Sequence, residues 1–558
     1  MRKHSHLFLL LFLFLFSCSK HGGDGPGTPD PLPASLRLNN VILHQLVASA
    51  SATNYNIDPA TVIKMQFNNK VNRSTASTAI AIRENGTAIV PVNINFANSD
   101  STVLVSGIPA LKFLTKYTLS INTSLKSVEG ANLVAPSEYK LLTKIDSGRK
   151  FPILPDDALL TKVQQQTFTY FWDFAHPVSG LARERNSSGD VVTTGGSGFG
   201  IMAIPVAINR NFITRAQGLE RMQKIVGFLK NTAVKVKGAF PHWLNGATGA
   251  IVPFSSFDDG ADLVETSFLM MGLLAARQYF NDAGAAETTL RNDINTLYQN
   301  VDWDWFRQGG QQVLYWHYSN TNGWAINLPI KGWNECLVTY VLAASSSTHP
   351  VPASVYNNGW KSGSQYVNGN TYYGYNLPLG PPQGGPLFFS HYSFLGINPT
   401  GLYEAGIDYN LQTKNHTRIN YQYCRDNPQN YFGYSDSVWG LTASDIENGY
   451  TASSPTHDVG VIAPTAAISS MPYTPDQSMA ALKFYYYVLG DKIWNQYGFT
   501  DAFSLQNTWF ANSTLAIDQG PIIVMIENYR TGLLWNLFTS CPEVVSGMQS
   551  LGFTAPYL

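Results

Sequence analysis

The 558-residue sequence has few charged side chains. Lys and Arg number 36, Asp and Glu number 37, and together they make up 13% of the chain with a net charge of −1. Average soluble domains carry roughly 25% charged residues. The balanced charge excludes a basic nucleic-acid-binding protein, so we expect no nucleic acid among the partners. The hydrophobic content of 44% excludes a disordered chain.

Cysteine is also scarce. Apart from Cys18, the chain has only Cys336, Cys424 and Cys541, which are far apart. This spacing predicts no disulfide framework, and three buried thiols are favoured over one bridge with one free thiol. The sequence lacks Cys-x-x-Cys, His-Glu-x-x-His and the aspartate spacing of a calcium loop. We therefore expect neither a metal nor a cofactor.

Two common catalytic loops are missing as well. A serine nucleophile elbow needs Gly-x-Ser-x-Gly and a Walker A loop needs Gly-Lys, and neither is present. The glycine-rich GGSGFG at 195–200 has the wrong spacing for either loop. It is more typical of a close approach of the backbone to a neighbouring helix or to a substrate.

The apolar run at residues 7–16 follows two basic residues and is too short to span a bilayer. It has the length of a signal-peptide core and ends in LFSC (15–18), which resembles the bacterial lipobox. We predict a signal peptide at 1–17, a lipid on Cys18, and a flexible Gly- and Pro-rich tether at 18–34. The protein would then be exported and anchored to the cell envelope, on the periplasmic or the surface face of an outer membrane.

Aromatic residues make up 13% of the chain, the same share as charged residues. An uncharged partner recognised through aromatic faces and polar groups suggests carbohydrate, although most aromatic side chains belong to cores.

Residues 35–145 predict a small β-sandwich. Segments such as 61–71, 87–97, 101–107 and 116–125 are rich in Val, Ile, Thr and Tyr and are separated by turn residues. The pattern resembles bacterial Ig-like modules, which act as spacers or packing partners. A spacer role is favoured over sugar binding, because the segment contains no catalytic cluster.

The proline-containing stretch at 144–157 marks a domain boundary. Beyond it, residues 157–558 have helical periodicity without alternating strands, which argues against a Rossmann or TIM architecture and favours one large, mainly α, layered domain. Several helices are apolar on all sides, as expected for an inner layer. Helices are predicted at 159–175, 197–209, 214–232, 261–280, 284–306, 332–346, 386–396, 408–426, 460–471, 475–489 and 519–538.

Acidic residues recur near the expected starts of these helices. A single such acid is usually a helix cap, but a set flanked by tryptophans suggests a sugar cleft. Glycoside hydrolysis needs two carboxyl groups across the bond, one protonated and one ionised, and an aromatic pocket raises the pKa of the first. The acids are Asp258, Asp259, Asp262, Glu265, Glu335, Asp445, Glu447, Asp518 and Glu527, and the tryptophans are Trp243, Trp324, Trp333, Trp439 and Trp535.

Seven segments in order resemble the bacterial glucoamylase-like domain family, and within it glycoside hydrolase family 144, the β-1,2-glucanases. The resemblance implies an (α/α)6 barrel that hydrolyses β-1,2-glucan, either internally or by releasing sophorose from a chain end. Because the wider family includes other substrates, fold transfers more safely than linkage. The segments are TFTYFWDFAHPVSGLARER (167–185), GGSGFGIMAIPVAINR (195–210), DLVETSFLMMGLLAARQYF (262–280), KGWNECLVTYVLA (331–343), NPQNYFGYSDSVWGLTASD (427–445), IAPTAAISSMPYTPDQSMAAL (462–482) and IDQGPIIVMIENYRTGLLW (517–535).

The resemblance also suggests residue roles. It implies Glu335, at the start of a helix, as general acid and Asp518, in the loop before the last inner helix, as general base of an inverting mechanism. Asp262 and Glu265 are the alternatives for either role. The residues predicted to contact substrate are Arg183, Arg185, Trp172, Asp258, Trp333, Trp439, Asp445, Glu527, Tyr529 and Arg530.

Three alternatives stay open at this point. A non-catalytic glycan-binding lipoprotein would keep the barrel without its acids, and the acids present argue against it. A hydrolase for another glucan linkage would keep both. A polysaccharide lyase would need a basic cleft, which the sparse charge disfavours. The segment 391–409 follows the family only loosely, so the choice between endo and exo action is also open.

Overall fold

The computed structural model describes residues 34–558, which divide into two compact units between Lys144 and Ile145. The predicted signal peptide, Cys18 and all of the predicted tether except Ala34 lie outside the described residues. Among the residues described, no helix has the length and apolarity needed to cross a membrane.

The first unit is a β-sandwich of two five-stranded sheets, ordered β2-β1-β4-β8-β7 and β3-β10-β9-β5-β6. Alternate residues of β4, Ile63, Met65 and Phe67, are buried between them, as the period of two requires. One short helix, α1 (Arg73–Ala79), precedes β5. The strands are β1 (Leu38–Leu43), β2 (Leu46–Val47), β3 (Asn54–Ile57), β4 (Ile63–Phe67), β5 (Ile80–Glu84), β6 (Ala88–Val90), β7 (Val92–Ala97), β8 (Thr102–Gly107), β9 (Lys116–Ile121) and β10 (Ser137–Thr143).

The second unit is helical. Its helices are α2 (Asp156–Trp172), α3 (Thr194–Asn209), α4 (Arg215–Asn231), α5 (Leu263–Tyr279), α6 (Ala285–Gln299), α7 (Leu337–Ser345), α8 (Ala353–Asn358), α9 (Tyr409–Asp426), α10 (Pro464–Ile468), α11 (Pro475–Tyr487), α12 (Gly490–Ile493), α13 (Ala516–Thr531), α14 (Leu533–Thr539) and α15 (Pro542–Ser550). Short 3-10 turns lie at Asp304–Arg307, Trp360–Ser362, Pro382–Gly384, Leu387–Ser390 and Ser393–Leu395.

Short strands pair mostly as hairpins in the loops between these helices. They are β11 (Val191–Thr193), β12 (Trp243–Asn245), β13 (Ile251–Val252), β14 (Ala261–Asp262), β15 (His317–Tyr318), β16 (Thr371–Tyr372), β17 (Tyr375–Asn376), β18 (Tyr403–Glu404), β19 (Ile407–Asp408), β20 (Ala443–Ile446), β21 (Gly449–Ala452), β22 (Trp494–Asn495), β23 (Gly498–Phe499), β24 (Phe503–Ser504) and β25 (Trp509–Phe510).

Six largely buried segments form the inner layer of an (α/α)6 barrel: α3, α5, α7, the two 3-10 turns at 387–395, α10 and α13. Helix α3 packs against both α5 and α13, which closes the ring. Amphipathic helices pack outside it; α4, for example, buries Met222, Ile225 and Leu229 at helical spacing. In this order α7 and α13 stand on opposite sides of the ring.

The glycine-rich segment at 195–200 lies inside α3 and packs on α5. A Cβ on Gly198 would stand 2.3 Å from the carbonyl oxygen of Phe268, and one on Gly272 would stand 2.2 Å from the carbonyl oxygen of Gly198. The backbones of α3 and α5 are therefore in direct contact where each helix has a glycine in place of a side chain. The expected close approach to a neighbouring helix is confirmed.

Several predicted helix bounds are wrong. The segment 386–396 forms two 3-10 turns rather than one helix. The helix at 519–538 is broken at Gly532, whose φ of 71° ends α13 before α14 begins. The helix predicted at 460–471 is reduced to α10, and Asp445 and Glu447 lie in the β20–β21 hairpin instead of at a helix start.

Candidate active site

A cleft of about 410 Å³ opens at the end of the barrel where the inner helices α3, α5 and α13 begin. Loops and hairpins before those helices supply most of its walls, and aromatic side chains dominate them. It is lined by Glu184, Arg185, Thr193, His242, Trp243, Phe254, Glu265, Phe268, Trp316, Glu335, Phe388, Tyr392, Ala443, Tyr450, Ala452, Leu515 and Ile517.

Glu335 reaches the cleft from a turn two residues before α7, not from inside the helix as predicted. Ser393 fixes this turn, because its hydroxyl donates to the carbonyl oxygen of Glu335 and accepts the N–H of Val338 at 2.9 Å. Burial raises the pKa of Glu335 to about 7, and the nearby carboxylates of Glu265 and Asp262 act in the same direction. Near neutral pH this carboxyl can hold a proton in the cleft.

Glu265, on α5, is another carboxyl that lines the cleft. It lies in the first turn of the helix, and its Oε2 accepts the N–H of Gly195 at 2.7 Å. A Cβ on Gly195 would stand 2.6 Å from the same oxygen, so glycine is what allows the contact. Burial raises the pKa of Glu265.

Asp262 is fully buried at the N-cap of α5 and is not among the residues that line the cleft. Its Oδ1 accepts the N–H groups of Val264 and Glu265, and its Oδ2 lies 3.0 Å from Nδ1 of His242. Asp258 is also buried, with neither carboxyl oxygen hydrogen-bonded within the described residues. We call His242, Asp258, Asp262, Glu265 and His317 the histidine cluster.

The charges of the histidine cluster are coupled. Burial opposes a charge on His242, but Glu265, the hydrogen bond with Asp262 and the charge of Asp258 outweigh it and raise its pKa to about 9. Burial lowers the pKa of His317, whose Nε2 lies 3.6 Å from both Asp258 and Asp262. Burial also raises the pKa of Asp258 to about 7. His242 is therefore protonated more readily than an ordinary histidine and His317 less readily, whereas the two histidines outweigh burial and lower the pKa of Asp262.

The same cluster contains the donor atoms that could hold a metal ion. Ligand atoms of His242, Asp258 and Asp262 lie within 4.8 Å of one another. Imidazole and carboxylate together suit zinc and similar divalent ions. The proton on His242 already balances part of the negative charge without an ion.

A second group of acids lies at the other wall, beside the start of α13. Arg185 contacts Glu184 at 2.8 Å and Asp445 at 3.0 Å. The N–H of Asp445 in turn donates to Oδ2 of Asp501 at 2.6 Å, and Asp501 faces Asp518. We call Glu184, Arg185, Asp445, Asp501 and Asp518 the arginine cluster.

The carboxyl groups of Asp501 and Asp518 interact, and within the described residues Oδ1 of Asp501 and Oδ2 of Asp518 have no hydrogen-bond partner. Burial and their mutual repulsion raise the pKa of Asp518 well above its usual range, whereas burial raises the pKa of Asp501 to about 6 against hydrogen bonds and the charge of Arg185. Asp518 lies in the first turn of α13, not in the preceding loop as predicted. It is buried and does not itself line the cleft, whereas its sequence neighbours Leu515 and Ile517 do.

Of the other predicted substrate contacts, only Arg185 lines the cleft. Trp333 and Trp439 are buried in the core, with 2% and 0% exposure, because both indoles fill space between helices. Arg183 turns away to bond the carbonyl oxygens of Gly189 and Phe174. Trp172 lies under the guanidinium of Arg221, at 4.1 Å, on the outer layer.

Glu527, Tyr529 and Arg530 belong to the far end of α13. At a rise of 1.5 Å per residue, Glu527 stands roughly 13 Å along the helix from Asp518. Glu527 forms a buried ion pair with Arg210. The placement of these three residues excludes direct contact with a sugar in the cleft, because they lie at the opposite end of the barrel.

The sequence did not predict several residues that line or adjoin the cleft. His242 and His317 each stand next to a tryptophan, in the pairs HW (242–243) and WH (316–317). His242 directly precedes β12, and His317 pairs with Asp262 at the N-cap of α5. Such a histidine–tryptophan pair in a loop before an inner helix was a usable signal. Asp501 has no comparable signal, since it reaches the site only through the packing of its loop.

An (α/α)6 barrel with two acid clusters around an aromatic cleft defines the glycoside-hydrolase class of this fold. The Glycoamylase family model, whose description names a glucoamylase, matches residues 327–542, and a bacterial Ig-like domain model matches 43–143. An endo-β-1,2-glucanase structure from Chitinophaga pinensis is 49% identical with a TM-score of 0.71, covering 73% of this chain and 100% of that one.

A β-1,2-glucanase structure from Parabacteroides distasonis is 37% identical with a TM-score of 0.71, covering 94% of this chain and 74% of that one. A curated relative from the same species, an exo β-1,2-glucooligosaccharide sophorohydrolase acting at the non-reducing end, is 45% identical over 420 residues, or 71% of this chain. The chain spans 58% of the length of that curated relative. The chain belongs to the bacterial glucoamylase-like family of β-1,2-glucanases, glycoside hydrolase family 144.

Proposed function

We propose that this protein hydrolyses β-1,2-glucan or its oligosaccharides. The observation that carries the proposal is the placement of Glu335 and the Asp501–Asp518 pair. Glu335 precedes α7 and Asp518 begins α13, which stand on opposite sides of the ring with the cleft between them. The substrates of the family members described above support the linkage.

In this proposal Glu335 is the general acid. Its raised pKa leaves a proton available to the departing glycosidic oxygen at neutral pH. The base is the Asp501–Asp518 pair, whose single negative charge accepts a proton from the attacking water. The C–O bond to the leaving sugar breaks as the water oxygen bonds to the anomeric carbon from the opposite face, so the anomeric configuration inverts.

Aromatic side chains supply the sugar contacts. Trp243 packs edge-on against Phe254 at 4.9 Å, and Trp316 stacks on His317 at 5.5 Å, so the exposed parts of these rings form a wall on one side of the cleft. Such faces bind the C–H surfaces of sugars. Arg185 on the other wall offers guanidinium N–H groups to hydroxyls.

The direct test is digestion of linear β-1,2-glucan by the chain from residue 30 onward, with chromatography of the products. Sophorose or short β-1,2 oligomers support the proposal; a ladder of sizes indicates endo action and sophorose alone indicates exo action. Early-time proton NMR of the new reducing ends tests inversion. If only another glucan gives products, the proposed β-1,2 linkage is wrong. Binding without products would support the glycan-binding alternative.

We also propose that the chain is anchored through a lipid on Cys18 of the LFSC (15–18) motif. The expected result is incorporation of labelled palmitate into the full-length protein in a bacterial host. Replacement of Cys18 by serine should abolish the labelling and release the protein from the membrane fraction. Labelling that persists in the serine variant would contradict the anchor.

A further inference from the structure

His242 lines the cleft beside Glu265 but has no role in the mechanism above. It lies in the loop just before β12, and its backbone carbonyl accepts the N–H of Thr194 at the start of α3 at 3.1 Å. The ring stacks on Phe254 with centroids 4.2 Å apart and an angle of 26°. The loop and the aromatic neighbour therefore hold the imidazole in one plane.

The two ring nitrogens of His242 have different surroundings. Nδ1 lies 3.0 Å from Oδ2 of Asp262, within hydrogen-bond distance, and 3.8 Å from Asp258. Nε2 makes no hydrogen bond within the described residues, and the side chain is 23% exposed on the cleft side. Since Nδ1 is held by a buried carboxylate, Nε2 is the ring nitrogen left to hydrogen-bond with a group in the cleft.

The hydrogen bonds of Asp262 indicate that this residue holds His242 in place. Both of its oxygens are occupied, one by two backbone N–H groups of α5 and the other by His242, and the residue is 0% exposed. Because these partners already engage both oxygens of Asp262, the geometry favours a positioning role over direct contact with the sugar. It can set the orientation and charge of the imidazole next to it.

Every charged group that faces His242 is known from the geometry. Asp262 and Glu265 come from α5 and its cap, Asp258 from the loop before β14, and His317 from β15. The negative groups outnumber the positive ones, and together they raise the pKa of His242 to about 9.

We propose that His242 is a substrate-binding residue whose Nε2 hydrogen-bonds with a sugar hydroxyl in the cleft, and that Asp262 is the positioning residue that holds it. This inference rests on the proposed function and deepens it, since it assigns a hydrogen-bonding side chain to one subsite. It also removes Asp262 from the candidates for acid or base, in contrast to the sequence reading.

The test compares three variants on a short β-1,2-glucooligosaccharide. His242→Phe keeps a ring of similar shape without a donor and should lower kcat/KM about 100-fold, mostly through KM. His242→Gln restores an amide N–H near the Nε2 position and should recover at least about tenfold of that loss. Asp262→Asn keeps the N-cap but removes the charge, and should cost about 10- to 100-fold.

Two further measurements separate positioning from a structural role. The double variant His242→Phe/Asp262→Asn should be no worse than His242→Phe alone, within about threefold, because both changes remove one interaction. In the Glu335→Gln background, oligosaccharide affinity should fall in both His242→Phe and Asp262→Asn, because the loss lies in substrate binding.

The matched control is Asp190→Asn. Asp190 pairs with His176 at 3.2 Å outside the cleft, so the same chemical change there should leave kcat/KM unaltered. Wild-type values for His242→Phe, or a further loss of about 100-fold in the double variant, would overturn the inference. If the wild-type protein does not cleave β-1,2-glucan at all, the proposed function fails first, which the wild-type digest shows independently.

Discussion

The histidine cluster and the arginine cluster bury acids on two walls of one cleft, yet they offset the charge in different ways. In the arginine cluster the positive charge of Arg185 is permanent. In the histidine cluster the positive charge is a proton on His242, which can leave. A change of pH therefore acts differently on the two walls. In the histidine cluster it can remove the positive charge itself, whereas in the arginine cluster it changes only the protonation of the carboxyl groups.

The largest effect is expected from Glu335→Gln, which removes the proton donor beside the histidine cluster. We expect kcat to fall by about 10³- to 10⁴-fold while oligosaccharide affinity, measured by calorimetry, stays within about threefold. Glu138→Gln, an exposed change in the β-sandwich, is the matched control. Turnover near the wild-type rate in Glu335→Gln would remove this residue from the mechanism.

The next largest effect tests which wall supplies the base. Asp518→Asn should lower kcat by about 10²- to 10³-fold, because the amide cannot share a proton with Asp501 as a carboxyl does. Glu265→Gln should cost less, since Glu265 is not opposite Glu335 in the ring. Azide added to both variants gives the decisive comparison, because this anion can take the place of a missing carboxylate. The variant in which azide restores turnover identifies the position of the base. The reverse order of the two losses would transfer the base to the histidine cluster.

The pH profile of kcat/KM should be narrow. Asp501 must be ionised, which holds above its pKa of about 6, and Glu335 must be protonated, which holds below its pKa of about 7. Activity is therefore lost on both sides of an optimum between these values. A flat profile from pH 5 to 8 on a soluble oligosaccharide would contradict both assignments.

Arg185→Met breaks the permanent charge of the arginine cluster. We expect a loss of about 2 kcal/mol of stability, because Glu184 and Asp445 are left without their partner while the site is partly exposed. The acidic limb of the pH profile should also move to higher pH, since Arg185 lowers the pKa of Asp501. Urea unfolding and the pH profile check the two effects. A wild-type acidic limb would separate Arg185 from the base.

The smallest effect is expected from Gly195→Ala. The added Cβ would stand only 2.6 Å from Oε2 of Glu265. It would therefore push this oxygen away and weaken its hydrogen bond with the N–H of residue 195. We expect kcat/KM to fall about five- to tenfold with little change in the arginine cluster. Gly227→Ala, where nothing stands within 4 Å of the new atom, is the control. An equal loss in both variants would show a general helix effect.

Much of this architecture follows from sequence pattern. The apolar helices, the β-sandwich and the GGSGFG contact depend on periodicity and local chemistry, which a single sequence displays. Glu335, Glu265 and Arg185 were found because they stand in family segments next to the inner helices. The 3-10 turns at 387–395 were predicted as a helix because the segment is apolar and lacks Gly and Pro, whereas tertiary contacts decide its backbone.

The side-chain errors have a different origin. Trp439 and Glu527 belong to the right segments but face the core and the opposite end of the barrel, which depends on helix rotation and length. Asp501 and His317 join the site only because distant loops fold together. Family resemblance locates the walls of a site, whereas the direction of each side chain comes from packing.

The inner segment at 387–395 differs from helices α3 and α5 in how it can change over evolutionary time. Helices α3 and α5 touch through bare backbone at Gly198 and Gly272, so almost any substitution there disturbs the barrel. The 3-10 wall has no long helical hydrogen-bond ladder to preserve, and it places Phe388 and Tyr392 in the cleft. Drift in this wall can reshape the space for a sugar chain without altering the frame, which makes it the natural starting point for redesigning chain-length preference.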